Sequence, residues 1–197
     1  MAPNGQAMTP ADEDAELMRR LQASDEAAFA ALMQRWERPV KALIARIVLN
    51  ASEAEDLSQE TFTRLWIHRD RFVIGRPVKP WVLGIAVNLA RNRLRWWRRR
   101  PEIALENWTE EPPERGADAD AGAAGLEQAE RAAAVREAIA ELPVALREVV
   151  VLFEYEQMSY AEIAQAVGAS AKAVETRLAR ARDKLRTKLQ RSLRAKR

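Results

Sequence analysis

The chain has no cysteine and only one histidine, His68. The first absence excludes disulfides, cysteine-ligated zinc or iron–sulfur sites and thiol redox sensing. The second excludes a histidine-rich metal centre, and a serine–histidine nucleophile would have to draw on that single imidazole. The N-terminus, MAPNGQAMTPADEDAEL, has neither a basic start nor an apolar core, so no secretory leader is expected. The apolar run VVVLF in the second half is far too short to span a bilayer. Glycine is scarce, 7 in 197 residues, while Ala, Leu, Glu and Arg are plentiful, which favours helix over sheet. These features predict a soluble, cytoplasmic, all-α protein.

What is present is charge, sorted by position. The formal net charge is only +3, yet residues 91–100, RNRLRWWRRR, hold six arginines and two tryptophans without one acid. Residues 102–130 then carry nine acids against Arg115 alone, with Pro112, Pro113, Gly116, Gly122 and Gly125 among them. Such a stretch buries little apolar surface and reads as a flexible acidic linker. Residues 172–197 return eleven cations against Glu175 and Asp183. The organisation expected is an acidic tail over 1–15, a helical unit over 16–100, a linker over 101–130 and a second helical unit over 131–193.

Helical spacing of apolar residues starts at Glu16 and brings Leu17, Met18 and Leu21 to one face. Ser24 is placed to cap the next helix, which Pro39 interrupts or restarts. SEAE at 52–55 has the form of a capping box and opens a helix running to about Arg69. VIGRPVKP breaks the pattern, and a long helix from Trp81 continues into the arginine run. After the linker the periodicity resumes near Leu126. SYAE at 159–162 is a second capping box, opening the short helix YAEIAQAV. Gly168 stands where a left-handed residue ends a helix, and Ser170 caps another with an apolar stripe at Val174, Leu178, Ala181, Leu185 and Leu189. Helix, glycine turn and second helix make a helix-turn-helix, with the alternative of a basic solvated hairpin. The first turns (Ala171, Lys172, Glu175, Thr176) are placed for base edges, and Arg177 and Arg180 for phosphates.

These residues resemble a known family. The segment from ELPVALREVVVLF through SYAEIAQAVGASAKAVETRLARARDKL is similar to region 4 of bacterial sigma-70 factors, which binds the promoter −35 element. AEDLSQETFTRLWIHRDRF and PWVLGIAVNLARNRL resemble region 2 of the same family. With no compact region between them, the chain is similar to the extracytoplasmic-function (ECF) group. The resemblance implies an RNA polymerase sigma factor with two small helical domains, region 2 and the region 4 helix-turn-helix, that assists promoter melting at a stress or envelope-related regulon. It implies no catalysis, cofactor, metal or small-molecule ligand.

On a helical wheel Leu57, Thr61, Phe62, Leu65 and Trp66 take one side of the helix, while Glu53, Asp56, Gln59, Glu60, Thr63 and Arg64 take the other. The resemblance implies that Asp56, Gln59 and Glu60 meet the clamp coiled coil of core RNA polymerase, whose flap is also a partner surface. It implies that Asn88, Arg91, Asn92 and Arg95 share a face on the −10 element, and that loop 71–79 after Phe72 captures a flipped base. Phe72 would offer stacking there or else join the core. For the −35 element the candidates are Ser170, Ala171, Lys172, Thr176, Arg177 and Arg180. The family threads its linker through the polymerase cleft, and its members commonly have a cognate anti-sigma factor, often membrane-bound. Trp96 and Trp97 depart from the family's usual polar residues at that helix end; packing, partner contact and base stacking all remain open for them. The rival reading, a stand-alone helix-turn-helix regulator, gives no role to 54–72 or to a second basic helix.

Overall fold

The computed structural model describes residues 9–100 and 123–195, and among these it is helical throughout, with eight α-helices and one 3₁₀ turn. Helix α1 (Pro10–Gln22) opens on a reciprocal capping box between Thr9 and Asp12, with Pro10 at its first position. It therefore starts six residues before the expected Glu16. Asp12 and Glu13 suit the positive helix end, and Asp14 is buried against Arg35 at 3.0 Å. Residues 1–8 of the expected tail lie outside the described residues.

Helix α2 (Glu26–Val48) is capped by Asp25, which accepts from the amides of Ala27 and Ala28. Ser24, the expected cap, is instead the left-handed turn residue just before it, at φ 62°. Pro39 lies inside α2 and does not end it. An interior proline costs ~3 kcal/mol, and burial of Trp36, Val40, Leu43, Ile44 and Ile47 along the same helix outweighs that. Helix α3 (Ala51–Ile67) is capped by Asn50 rather than Ser52: the Asn50 Oδ1 accepts from the Glu53 amide at 2.9 Å. Asparagine caps as well as serine and stands two residues earlier, leaving Ser52 exposed in the first turn and Glu55 paired with Lys41. A 3₁₀ turn (Arg69–Arg71) and a loop lead to α4 (Val78–Arg99), which packs on α2 and α3.

The second unit holds α5 (Ala123–Ala140), α6 (Val144–Glu154), α7 (Tyr160–Val167) and α8 (Ala171–Ala195). Residues 123–130, expected within the linker, are the first turns of α5, and the rest of the expected linker, 101–122, lies outside the described residues. The helix-turn-helix forms as the sequence predicts. Ser159 and Glu162 make the capping box of α7, Gly168 ends it at φ 65°, and the Ser170 hydroxyl accepts from the Ala173 amide at 3.1 Å to start α8.

The two helical units expected from the sequence are present, and they also touch directly. Their buried side chains form one continuous apolar cluster, and α4 packs against α7 while α2 packs against α6. The crossing of α4 and α7 is close because Gly84 has no side chain: a Cβ there would stand 3.1 Å from the Ala166 carbonyl oxygen. Arg147 of α6, buried, donates to the carbonyls of Ile47 at 2.7 Å, Leu142 at 3.1 Å and Ala140. Ile47 and Ala140 sit at the C-terminal ends of α2 and α5, where unsatisfied carbonyls and the helix dipole both favour a cation. Burial pulls the guanidinium pKa down, and those carbonyls are what offset the desolvation. Arg147→Met, which keeps the stem and removes the donors, is expected to lower unfolding free energy by roughly 2–3 kcal/mol in urea denaturation. A loss below about 1 kcal/mol would show that water replaces the guanidinium at those helix ends.

Candidate nucleic-acid and partner interfaces

Helix α3 buries Leu57, Thr61, Phe62 and Leu65 and half-buries Trp66, which leaves Asp56, Gln59, Thr63 and Arg64 in solvent with Glu60 partly covered. With Ile67 and His68 they line a shallow groove, and Ile67 is 59% exposed at its end. Arg64 forks onto Glu60 at 2.7 and 2.9 Å, one helical turn away. An exposed pair of this kind is worth only about 0.3–0.5 kcal/mol, so a partner's cation can displace Arg64 at small cost. Glu53 does not belong to this face: it is buried and paired with Arg93 of α4. Burial raises its carboxyl pKa, and the Arg93 charge pulls it back.

On α4, Asn88, Asn92 and Arg95 are exposed on one face, with Arg95 donating to the Asn92 amide oxygen. Arg98, Arg99 and Arg100 extend the cationic surface, and Arg100 lies over the Trp96 ring at 5.2 Å. Trp97 is in the apolar core and Trp96 is half-buried against it, which places both mainly in packing. Phe72 is also core: it is 4% exposed and meets the Trp81 ring at 5.2 Å, so it offers no free face to a base in this conformation. The exposed apolar groups of loop 71–79 are Val73 and Ile74, beside Gly75 at φ 88°. Sequence reasoning passed over them, though two β-branched residues beside a glycine in a break were a visible signal.

On α8 the first turn stands clear. Lys172 is 82% exposed and pairs with Glu175 at 2.8 Å, Thr176 donates to the Lys172 carbonyl at 2.9 Å, and Ala171 and Arg180 face solvent. Val174, Leu178 and Ala181 are buried, with Leu185 and Leu189 partly so.

Two of the sequence-predicted arginines are not on the open faces. Arg91 of α4 turns toward the second unit, where Nε and Nη2 take both oxygens of Glu148 and Nη1 donates to the Val167 carbonyl at 3.0 Å. Arg177 of α8 points to the same carboxylate, with Nη1 3.6 Å from Glu148 Oε1. Glu148, on α6 and 1% exposed, was missed by sequence reasoning. Its signal was the adjacent pair Arg147-Glu148 inside a helix that is apolar apart from its last residue, Glu154, since buried charges require partners.

Residues 32–100 match the family described as sigma-70 region 2, and residues 132–185 match sigma-70, region 4. The chain is similar to the RNA polymerase sigma factor NccH of Alcaligenes xylosoxydans xylosoxydans, at 32% identity over 94% of this chain and 99% of the relative. It is similar to the ECF RNA polymerase sigma factor SigW of Bacillus subtilis, at 28% identity over 87% of this chain and 94% of the relative. Among solved structures it resembles CnrH in complex with the cytosolic domain of CnrY, with a TM-score of 0.67 and 28% identity over 91% of this chain and 98% of the other. With both region matches in order and relatives aligned over nearly their whole length, the chain belongs to the sigma-70 family of RNA polymerase sigma factors, in its extracytoplasmic-function group.

Proposed function

We propose that this chain brings core RNA polymerase to promoters by three surfaces: α3 for the polymerase, α4 for the −10 element and α8 for the −35 element. The observation that carries the reading is the second exposed DNA-suited face, Asn88, Asn92 and Arg95 on α4, beside the helix-turn-helix. A stand-alone regulator needs only the latter. In this reading 16–100 and 131–193 act as the two recognition domains, and the chain performs no catalysis of its own. It works in the cytoplasm, and among the described residues no helix is long and apolar enough to cross a membrane.

Asp56, Gln59 and Glu60 form an acidic, amide-bearing face that suits a basic helical surface on the polymerase clamp, with charge steering the encounter. Arg95 and the exposed arginines at the end of α4 neutralise phosphates, while Asn88 and Asn92 present donors and acceptors to bases. Once the duplex opens, loop 71–79 receives an extruded base, with Val73 and Ile74 as the apolar groups at hand. On α8, Ser170, Ala171, Lys172 and Thr176 lie nearest the bases, and Arg180 meets the backbone. The solved CnrH is held by the cytosolic domain of CnrY, which supports a cognate anti-sigma factor for this chain as well. A membrane-bound one would hold it at the inner membrane until a stress or envelope signal frees it.

Transcription by purified core polymerase from a fragmented genomic library, with and without the chain, tests the reading. New starts sharing two upstream motifs about two helical turns apart are expected; tight binding of the isolated chain to duplex with no new starts would favour the stand-alone regulator. Asp56→Lys with Glu60→Lys should weaken core binding about tenfold, ~1.4 kcal/mol, without changing the melting temperature. Unchanged affinity would remove α3 from that role. Arg180→Ala should weaken promoter binding by the holoenzyme for all sequences alike and reduce the slope of log K against log salt by about 1. A sequence-selective loss would instead place Arg180 on a base edge.

A further inference from the structure

We propose that Gln22, the last residue of α1, is the positioning residue of loop 71–79: its side-chain amide fixes the root of the loop, so that Val73 and Ile74 are already in place when a base is extruded. The inference rests on the reading of that loop as the receiver of such a base.

Gln22 Nε2 donates to the Arg69 carbonyl at 2.9 Å and to the Phe72 carbonyl at 2.8 Å, 47 and 50 residues further along the chain. Those carbonyls stand at the two ends of the 3₁₀ turn, where the Phe72 amide donates back to the Arg69 carbonyl at 3.1 Å. A primary amide carries two N–H donors at a fixed angle, so both are used here and the spacing of the two carbonyls is set with them. Helical turns end in carbonyls without a partner in their own segment, and a side chain from another helix takes these. A second tie runs the other way. Arg69 Nη1 donates to the Trp66 carbonyl at 2.8 Å, Nη2 donates to the Ser24 hydroxyl at 3.1 Å, and the guanidinium lies over the Trp66 ring at 4.6 Å. Ser24, at φ 62°, turns the chain between α1 and α2. Three hydrogen bonds thus join that corner to the corner between α3 and the loop.

The ties stop where the loop begins to project. Phe72 is buried against Trp81, and Val78 and Pro80 are buried at the start of α4, whereas residues 73–77 are all exposed. Within that stretch the Arg76 amide donates to the Val73 carbonyl at 3.1 Å, closing a tight turn around Gly75 at φ 88°. Two fixed roots therefore carry a short turn whose apolar groups, Val73 at 65% and Ile74 at 42% exposure, stand in solvent. Capture of a base favours this arrangement. Extrusion costs free energy that the receiving groups must return, and ordering a loose loop at the same moment would subtract from that return. A root fixed before DNA arrives removes the second cost. Gln22 acts through the two carbonyls and touches no base, so its contribution is felt only at the nucleotide that enters the loop.

The test uses holoenzyme formed from core polymerase and the full chain. The probes are single-stranded non-template oligonucleotides covering the motif nearer a start that the chain directs, each with one abasic nucleotide in turn. Wild type is expected to lose about tenfold in affinity at one position, the base that the loop receives. Gln22→Met, which keeps the length and removes both donors, should bind the intact oligonucleotide about tenfold more weakly and show no further loss at that position. Its affinity for core polymerase, and the cost of every other abasic position, should match wild type. A loss confined to one nucleotide does not arise from a general loosening of the fold. Arg69→Met, which removes the tie to Ser24, should give the same signature and carries the test if Gln22→Met fails to fold. Equal losses at all positions, or an undiminished cost at the sensitive one, would overturn the role of Gln22 and leave base capture standing. A wild-type scan with no sensitive position would overturn base capture by the loop, and the positioning role with it.

Discussion

Two neighbouring residues of opposite charge, Arg147 and Glu148, are buried side by side on α6, and a buried charge must be met by something. Neither answers the other. Arg147 is met by carbonyls at the ends of α2 and α5, and Glu148 by guanidiniums from α4 and α8. Four helices are thereby referred to one point on a fifth. The apolar cluster around that point is continuous across the two units, but hydrophobic contact is non-directional and does not set a register. The polar contacts do, since a fork on a carboxylate tolerates little displacement.

What the sequence made legible was whatever depends on near neighbours. The Ser159–Glu162 capping box, Gly168 in the left-handed region and the stripe Val174, Leu178, Ala181 all rest on positions a few residues apart, and the structure has each as read. The local errors were contests between similar cap residues: Asn50 over Ser52 and Asp25 over Ser24, with the loser one or two positions away. Pro39 was a different failure, because the burial that carries α2 through it comes from other helices. The candidate site divides along the same line. Asp56, Gln59, Asn92, Lys172 and Arg180 are exposed, as helical spacing alone implies. Glu53, Arg91 and Arg177 left their expected faces because their partners are 29 to 76 residues away along the chain, and Phe72 took the core alternative. No pattern in a single helix contains that.

Helix α4 shows how one element serves several partners. Its apolar side, with Val82, Leu83, Ala86, Val87 and Ala90, belongs to the core. Gly84 admits α7, and Arg93 reaches Glu53 of α3. Asn88, Asn92 and Arg95 remain outside. Successive residues differ by about 100° around the axis, so Arg91 and Arg93 reach two different helices while Asn92 between them faces solvent. The arginine run that stands out in the sequence is therefore not one patch. Arg93 is structural, Arg91 lies at the boundary between the units, and Arg95 with Arg98, Arg99 and Arg100 is exposed.

The boundary between the units carries an ion pair, Arg91 with Glu148, beside the apolar cluster that crosses it. An apolar contact between units gains roughly 25 cal/mol for each Å² buried and loses all of it on separation, with nothing in water or on DNA to replace it. On separation Arg91 would lose Glu148, whereas Arg177 and Glu148 lie in the same unit and stay together; a freed guanidinium can be met by water or by another anion. Gly84 against Ala166 fits this logic, since two small residues bring the backbones close while burying little side-chain surface. An interface built this way is specific in register, because a fork on a carboxylate fixes the offset of the helices that carry it.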